Sequence, residues 1–329
     1  MKFNVLDLFS GAGGFSLGFS EEKIFNICVS IDNDVKVAET YEKNFPEVKH
    51  LVRDILSFSE DEIANLNKKY NFDVIIGGPP CQGFSIAGHI GRTEKEDKRN
   101  DLFIGYLKFV SIIKPKIFIM ENVSRLQTHN KGKTLKKIIE LFENEGYIVE
   151  YKILNVKDYG IAQNRRRIII VGSFNKGFKF PQELHETITV KDAIGDLPVL
   201  SSGETSNIPN HNAMKHTKQM LEKMNFVKDG GDRHDIPEEL RPVSGDIRKY
   251  IRYNSNEPSI CITGDMRKVF HYNQNRALTS RELARIQSFP DDFIFYGSSI
   301  SIQQQIGNAI PPKLSKILAK EVKEYLLNE

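Results

Sequence analysis

The sequence contains no tryptophan and only three cysteines, which are Cys28, Cys81 and Cys261. Three cysteines cannot all pair, and none of them stands in a C-x-x-C spacing, so a disulfide framework and a cysteine-based zinc site are both poorly supported. No apolar run approaches the roughly 20 residues that a membrane-spanning helix needs. The first residues also lack the basic and apolar regions of a secretory signal. We therefore expect a cytoplasmic protein without a membrane span.

An excess of charge of one sign is also missing. The formal net charge is +3 over 329 residues, of which 27% are charged and 40% hydrophobic, as in ordinary globular proteins. This mild balance permits a polyanionic partner but does not indicate one. Any case for nucleic-acid binding therefore has to rest on chemistry-bearing motifs.

The first 172 residues alternate short apolar runs with amphipathic stretches, which predicts strands and helices around a mostly parallel sheet. Strands are predicted at 3–8, 24–31, 72–76, 117–120, 148–156 and 167–171, and helices at 133–146, around 213–225 and at 311–327. From about residue 174 the periodicity weakens and Pro, Asn, Gly and His become more frequent. This change predicts a second, smaller and irregular domain.

The first candidate site is the glycine-rich stretch FSGAGG after the first predicted strand. Gly11, Gly13 and Gly14 allow a tight turn and close approach of a ligand to the main chain. Asp32 ends the second strand, where Rossmann-type folds place a carboxylate that binds ribose hydroxyls. Ser16 occupies the place of the third glycine of the dinucleotide fingerprint, so the pattern favours S-adenosylmethionine over NAD. An ordinary tight turn is the alternative.

Two other patterns are weaker. The stretch HNKGKT at 129–134 resembles part of a phosphate-binding loop, but Gln127 stands where that motif needs glycine. We interpret it as the exposed basic start of a helix. The histidines between 174 and 275 have spacings that match no standard set of metal ligands, so no metal site is predicted; four of them are His185, His211, His216 and His234.

The second candidate site is GGPPCQGFSIAG at 77–88. Two prolines after two glycines stiffen a turn at a strand end and present the next side chain, Cys81. Cys28 instead stands inside an apolar run, which is typical of an inert buried cysteine. We therefore predict that Cys81, opposite the glycine-rich turn, is a nucleophile.

The third and fourth candidates are MENV and QNRRR. Glu121 ends an apolar strand, where partial burial would raise its pKa and let it donate a proton, although a solvated strand end is the usual case. Arg165 and Arg167 are predicted to project from one face of a strand and Arg166 from the other. Their planar guanidinium groups could orient a carboxylate, a base carbonyl or a phosphate, or they could be surface charge.

Six stretches occur together and in order: FSGAGGFSLGF, GGPPCQGFS, ENV, QNRRR, RALTSRELARIQSFPD and QQQIGNAIPP. In this combination the sequence resembles the DNA cytosine-5 methyltransferases of bacterial restriction-modification systems, over nearly the whole chain except about 174–275. The resemblance implies an α/β, Rossmann-like S-adenosylmethionine-dependent methyltransferase fold with a doubly wound, mostly parallel sheet. It implies a catalytic, cofactor-binding domain at 1–185 plus 295–329 and a small target-recognition domain at 186–294.

The reaction that the resemblance implies is methyl transfer from S-adenosylmethionine to C5 of a cytosine flipped out of a specific double-stranded DNA sequence. Cys81 would add to C6 of the base and make C5 nucleophilic. Glu121 would bind or protonate the N3 edge, and Arg165 would hold the base carbonyl while Arg167 supports the loop and a nearby phosphate. The implied DNA contacts are Gln82 and Ser85.

The resemblance also implies a set of cofactor-binding residues. Phe9 would lie against adenine, Asp32 would bind the ribose, and Asp54 would bind the adenine amino group. Asn33 stands where some members of the family carry tryptophan, so one adenine-stacking face is expected to be weaker or supplied otherwise. The full implied set is Phe9, Gly11, Gly13, Gly14, Asp32, Asn33, Asp54, Ile55, Pro79, Leu102 and Asn308.

The implied partners are double-stranded DNA and a cognate restriction endonuclease that acts on the same site. Residues 174–245 carry nine Lys/Arg against eleven Asp/Glu, a formal charge of −2. Phosphate contacts are therefore expected from residues 165–167, the loop around Cys81 and the stretch RKYIR at 248–252. Two alternatives stay open: a tRNA cytosine-5 methyltransferase on the same fold, and a non-catalytic DNA-binding regulator.

Overall fold

The computed structural model describes residues 2–80, 100–184, 186–242 and 249–328. The chain forms two compact units. The first comprises Met1–Leu154, Arg166–Gln182 and Leu314–Glu329, and the second comprises Asn155–Arg165 and Glu183–Lys313. Residues 155–165 and 295–313, which were predicted to belong to the catalytic domain, belong to the second unit. The functional assignment of the two domains remains a prediction.

The described residues form eleven strands. In chain order they are β1 Phe3–Leu8, β2 Phe25–Asp32, β3 Lys49–Val52, β4 Val74–Gly77, β5 Ile117–Val123, β6 Ile148–Asn155, β7 Gln163–Asn164, β8 Arg166–Ser173, β9 Ile251–Arg252, β10 Ser259–Ile260 and β11 Val269–Phe270. All six predicted strands are present. Five further strands were not predicted, namely β3, β7, β9, β10 and β11. The edge strand β3 escaped prediction because its four residues KHLV contain no apolar run.

The helices in the described part of the chain are α1 Gly14–Ser20, α2 Val35–Asn44, α3 Glu60–Tyr70, α4 Asn100–Ile113, α5 Lys133–Asn144, α6 Val190–Ile194, α7 Lys218–Phe226, α8 Ser280–Ile286, α9 Ser299–Asn308 and α10 Pro312–Leu327. The predicted helices correspond to α5, α7 and α10. After α5, Gly146 has a φ of 94°, the left-handed conformation that ends many helices. Among these helices none is long and apolar enough to cross a membrane.

The first unit is built on a sheet that has seven strands within the described residues, in the order β3-β2-β1-β4-β5-β8-β6. Neighbours from β3 to β5 run parallel, and β8 runs antiparallel to β5. The predicted mostly parallel, doubly wound sheet is therefore confirmed. A mainly aromatic and aliphatic core, which includes Leu6, Ile75, Phe109 and Phe118, covers it.

The strand order reverses between β1 and β4, which is the switch point where ligands bind in open parallel sheets. Leu8 is paired with Gly77, and Gly77 with Met120, so the carboxyl ends of β1, β4 and β5 lie side by side. A β-carbon on Gly77 would collide with the carbonyl oxygen of Leu8, so this close approach requires glycine. The stretches FSGAGG, GGPPC and ENV therefore start at one edge of the sheet.

The second unit contains two two-stranded parallel sheets, β7 with β10 and β9 with β11. A small apolar core of Met224, Val227, Ile236 and Phe270 lies within it. Arg252 is 6% exposed, and its guanidinium donates to the carbonyl oxygens of Val227 and Met224, each at 2.7 Å, among other acceptors.

Arg252 therefore does not supply the phosphate contact expected from the RKYIR stretch. Its other acceptors are the carbonyl oxygens of His271 and Gln274 and the side-chain oxygen of Asn275. Within the described residues no three His, Cys, Asp or Glu side chains are grouped to hold a metal ion. Of the histidines considered above, His185 lies outside the described residues, and His211 bonds to Thr279 Oγ1 at 2.9 Å.

Candidate active site

The turn after β1 has an unusual backbone. Phe9, Gly11 and Gly13 have φ values of 58°, 52° and 96°, in the left-handed region that non-glycine residues rarely adopt. The N–H of Gly11 donates to Asp32 Oδ2 at 2.8 Å, and the N–H of Asp34 donates to Asp32 Oδ1 at 2.9 Å. Each carboxylate oxygen can accept a second hydrogen bond. Asp32 can therefore hold the turn and bind a ribose hydroxyl at the same time, as the predicted cofactor requires.

Burial raises the pKa of Asp32, while the two backbone hydrogen bonds act in the opposite direction. Asn33 follows at the strand end and is exposed. Gly14 begins α1, so the whole predicted glycine-rich turn connects the central strand to a helix.

The other predicted cofactor residues are distributed over both units. Asp54 is exposed, and its Oδ1 accepts the N–H of Leu56 at 2.9 Å at the start of a short helical turn. Ile55 in that turn is buried against Gly105 of α4, and Leu102 of the same helix is half-buried on the core. Asn308 is the last residue of α9 and lies in the second unit.

Glu121 and the loop that leads out of β4 meet in the first unit. Glu121 Oε1 lies 2.7 Å from Arg167 Nε, and each of the two side chains is 14% exposed. A β-carbon on Gly78 would lie 3.3 Å from Glu121 Oε2. The amide of buried Asn122 donates to the carbonyl oxygen of Pro79 at 3.0 Å. The structure therefore brings ENV, the end of GGPP and Arg167 together.

Cys81, Gln82 and Ser85 lie outside the described residues. The described chain reaches Pro80, so the hydrogen bond from Asn122 fixes the backbone two residues before Cys81.

Arg165 is in a different environment from Arg167. It is 2% exposed, and its guanidinium donates to the carbonyl oxygens of Ile262 at 3.3 Å and Ala309 at 3.2 Å and to Cys261 Sγ at 3.5 Å. Before Arg165, β7 pairs with β10 of the second unit, and after it, β8 begins at Arg166. Arg165 therefore stands between the two strands. The prediction that Arg165 and Arg167 share one face of one strand is therefore wrong: the chain passes from one unit to the other between Arg165 and Arg166.

In the second unit, residues of the stretch RALTSRELARIQSFPD form a buried polar scaffold together with Gln163. Arg276 and Glu282, both fully buried, are joined by two hydrogen bonds of 2.8 and 2.6 Å. The guanidinium of Arg281 donates to three backbone carbonyl oxygens, which belong to Pro209, Pro290 and Phe293. Gln163 bonds to Gln287, whose amide also donates to the carbonyl oxygen of Ala309 at 2.7 Å.

Sequence reasoning missed Asp7, which lies within β1 and is fully buried. The hydroxyl of Ser16 donates to Asp7 Oδ2 at 2.6 Å. Burial raises the pKa of Asp7 to about 7, although the hydrogen bonds from Ser16 lower it. The available signal was a carboxylate in the middle of the apolar run FNVLDLF, next to the glycine-rich turn.

Comparison with known proteins agrees with this geometry. The family model described as C-5 cytosine-specific DNA methylase matches residues 3–324. Type II methyltransferase M1.HphI of Haemophilus parahaemolyticus is 54% identical over 100% of this chain and 89% of its own length. Type II methyltransferase M.DdeI of Desulfomicrobium norvegicum is 33% identical over 99% of this chain and 89% of its own length.

Among solved structures, a candidate DNA modification methyltransferase encoded within an Escherichia coli prophage matches with a TM-score of 0.83 at 25% identity, over 100% of both chains. Its similarity extends over both compact units. With a family match over nearly the whole length and the three motif stretches at one edge of a parallel sheet, the chain is an enzyme that belongs to the C-5 cytosine-specific DNA methylases.

Proposed function

We propose that this DNA cytosine-5 methyltransferase takes its methyl group from S-adenosylmethionine and uses Cys81 as a covalent nucleophile on a cytosine flipped out of a specific duplex sequence. Bound S-adenosylmethionine supplies an electrophilic methyl group on a sulfonium. The observation that carries the proposal is the ion pair of Glu121 and Arg167 beside the loop that leads to Cys81.

The role of Cys81 follows from the chemistry of the base. C5 of cytosine is a poor nucleophile, and addition of a thiolate to C6 makes it enamine-like. After methylation, loss of the C5 proton and of the thiolate restores the aromatic ring. The target atom lies inside the duplex stack, so the base has to leave it at a cost of a few kcal/mol.

Glu121 and Arg167 are suited to hold the base edge. Glu121 is mostly buried, and the charge-assisted hydrogen bond to Arg167 fixes the orientation of its carboxylate. A guanidinium has five N–H donors, so Arg167 can bind Glu121 and a base carbonyl together. We assign the base carbonyl to Arg167 and a scaffold role to Arg165, which reverses the roles expected from the sequence, because the guanidinium of Arg165 donates to carbonyl oxygens of the second unit.

For the cofactor, Asp32 would accept the ribose hydroxyls and Asp54 the adenine amino group. Ile55 and Leu102 would offer apolar surface to the adenine, and Phe9 would contact it as well. The turn from Phe9 to Gly13, with left-handed backbone at three positions, would lie around the methionine portion. Pro79 and Asn308 complete the proposed set.

We also propose that methylation protects DNA from a cognate restriction endonuclease at the same sequence. The support is that both relatives described above are named Type II methyltransferases. We assign the target-recognition function to the second unit. The polar side chains of its stretch RALTSRELARIQSFPD form hydrogen bonds within the unit, so base contacts would come from its loops.

The test is to incubate the protein with tritiated S-adenosylmethionine and duplex DNA of varied sequence, with bulk tRNA in competition. We expect label in 5-methylcytosine of DNA, and its loss in Cys81→Ser. Sequencing of the modified sites gives the specificity. Label in tRNA alone would contradict the DNA substrate, and cofactor binding without transfer to either nucleic acid would favour a regulator.

A paired measurement tests the two arginines. Arg167→Lys is expected to lower the rate of methyl transfer about 10²-fold or more, as for loss of a positioned hydrogen-bond donor. Arg165→Lys is expected to act mainly on the free energy of unfolding. The reverse pattern would return the base carbonyl to Arg165.

A further inference from the structure

The two-stranded sheet of β9 and β11 brings two short segments of the second unit together. The strands are parallel, and their pairing begins with Ile251 opposite Val269. One residue before each strand, the N–H of Tyr250 donates to the carbonyl oxygen of Lys268 at 2.7 Å. The residues that lead into β9 therefore lie beside those that lead into β11, although the two segments are distant in sequence.

Two lysine side chains lie over the aromatic ring of Tyr250. The Nζ of Lys268 is 5.0 Å from the ring centroid, and the Nζ of Lys223, which α7 contributes, is 5.8 Å from it. Both distances are within the range of a cation–π interaction. The ring also packs edge-on against Phe270, which belongs to the small apolar core of the unit. This core therefore fixes the ring that gathers the two cations.

The neighbouring residues of the two segments carry two more cations. Lys249 Nζ lies 3.0 Å and Arg267 Nε lies 2.9 Å from the carboxylate of Asp265. Lys223 and Lys268 have no carboxylate partner among the residues that the structure describes. Four cationic side chains therefore share one carboxylate in this part of the described chain, and the group is positively charged. We call it the Tyr250 cluster, which consists of Lys223, Lys249, Tyr250, Arg267 and Lys268.

The exposed cations of the cluster differ from Arg252, which follows Tyr250 by two residues. Arg252 is buried, and its guanidinium donates to oxygens of the unit itself. Arg267 and Lys268 are exposed, and Lys223 is half-buried. Positive charge that is accessible and poorly compensated attracts polyanions. The cluster can therefore supply the phosphate contact that Arg252 does not.

Tyr250 itself has features of a binding residue. Its φ of 60° is in the left-handed region, which bulky residues rarely adopt. Such strained backbone is concentrated at functional sites, where the surrounding structure holds it. The contacts of its side chain with other described residues are ring contacts, which leave the hydroxyl to donate to a ligand. Tyrosine hydroxyls are among the groups that bind DNA phosphates.

We propose that the Tyr250 cluster binds the sugar–phosphate backbone of duplex DNA, with Lys223, Lys268 and the Tyr250 hydroxyl as the contacts to phosphate. The inference rests on the proposed duplex DNA substrate and assigns a surface of the second unit to it. Lysine binds phosphate as a point charge, and the contact releases counterions from the DNA without reading the base sequence. The cluster thus contributes affinity and leaves specificity to other residues.

The test measures the binding of duplex DNA by fluorescence anisotropy between about 50 and 200 mM salt. It compares wild-type protein with Lys223→Gln/Lys268→Gln on two duplexes of equal length, one with the methylated site and one without it. The logarithm of the association constant falls with the logarithm of the salt concentration, and we expect this slope to be smaller by about 1.8 in the variant, at about 0.9 for each phosphate contact. The affinity at about 0.1 M salt should fall on the order of 10- to 100-fold, by the same factor for both duplexes.

Tyr250→Phe separates the hydroxyl from the ring and its cations. This variant keeps the surface over which the two lysines lie and removes the hydrogen-bond donor. We expect about fivefold weaker binding with an unchanged salt slope, because a neutral hydrogen bond is lost and no charge is removed. An affinity equal to that of wild type would overturn the contact between this hydroxyl and phosphate.

The matched control is Lys68→Gln/Lys69→Gln, which removes the same amount of charge. Lys69 Nζ lies 5.1 Å from the centroid of the Tyr70 ring, so this pair also includes a lysine over a tyrosine. Both lysines are in the last turn of α3, which leads into β4. They therefore lie at the opposite edge of the sheet from the turns after β1 and β4. Affinity and salt slope should equal those of wild type, and all variants should keep its melting temperature.

The outcomes separate the inference from the function on which it rests. Unchanged affinity and slope in Lys223→Gln/Lys268→Gln overturn the phosphate-binding surface, and so does an equal loss in the control, which would reflect net charge alone. A loss confined to the duplex with the methylated site would mean that these residues read bases, which also overturns it. If wild-type protein binds tRNA but no duplex DNA, the proposed substrate fails and the inference fails with it.

Discussion

Each unit of the molecule buries a carboxyl group completely, and the pKa values of the two groups are shifted in opposite directions. Glu282 in the second unit forms two hydrogen bonds with the buried guanidinium of Arg276. Burial alone would raise the pKa of Glu282, but the hydrogen bonds and charge of Arg276 hold it below its ordinary value. Asp7 in the first unit bonds to the hydroxyl of Ser16, and burial raises its pKa to about 7. A buried carboxylate that is paired with a buried cation, as Glu282 is, serves as scaffold. A buried carboxyl group without such a cation, as in Asp7, has a shifted pKa and is available for function.

The largest effect on stability is expected from breaking the compensated pair. Arg276→Met would leave Glu282 buried without its cation and lower the free energy of unfolding by about 3–5 kcal/mol. Denaturant-induced unfolding measures the change. As the control, the double variant Arg276→Met/Glu282→Leu should recover most of the loss, and a single-variant loss below about 1 kcal/mol would contradict the scaffold role.

A large effect on rate is expected from the functional pair of the first unit. Glu121→Gln keeps the shape of the side chain but removes its charge, and should slow methyl transfer about 10²–10³-fold, as for other proton-transfer groups. The free energy of unfolding should change far less than in Arg276→Met, because the Glu121 side chain is 14% exposed and an amide is neutral, whereas Arg276→Met leaves a fully buried charge without its partner. Single-turnover kinetics with labelled cofactor provide the measurement. An unaltered rate would remove Glu121 from the proposed mechanism.

The two units should respond to acid with opposite signs. Burial lowers the pKa of His271, beside Glu282, to about 4. Its contribution to stability is present above its unfolded pKa of about 6.5 and is lost as the pH falls towards 4, by about 2–3 kcal/mol in total. Asp7, with a raised pKa, contributes stability at about pH 4 that is lost as the pH rises through about 7.

His271→Gln and Asp7→Asn separate these two contributions. Compared with wild type, His271→Gln should lose less unfolding free energy between pH 6.5 and 4, and Asp7→Asn should lose less between pH 4 and 7. Urea unfolding at several pH values checks both. If the unfolding free energy of a variant follows the same pH dependence as that of wild type, the substituted side chain does not make the contribution described above.

The smallest effect is expected at the hydrogen bond that anchors the loop before Cys81. Asn122→Ala removes the donor to Pro79 and should lower the free energy of unfolding by about 1 kcal/mol. The rate of methyl transfer should fall by more than this loss of stability explains, since the loop carries the proposed nucleophile. Measuring both quantities on the same preparation distinguishes anchoring of the loop from general destabilisation.

Much of the architecture could be read from local patterns. The apolar runs predicted six strands because a buried parallel strand needs apolar side chains on both faces. The same rule could not find β3, an edge strand whose residues are exposed or half-buried. Glycine and proline marked the turns at the carboxyl ends of β1 and β4, because their backbone preferences act within a few residues.

The sequence by itself determined the order of the motifs, and with it the family and the chemistry of a cysteine after GGPP. Tertiary structure decided which charged groups meet. Arg165 and Arg167 are two residues apart, yet only Arg167 reaches Glu121, because β8 pairs with β5 while β7 pairs with β10. Asp7, Ser30 and His50 occupy neighbouring positions because three strands distant in sequence share one register. Such partners are set by strand pairing and burial, which depend on contacts that no local pattern contains.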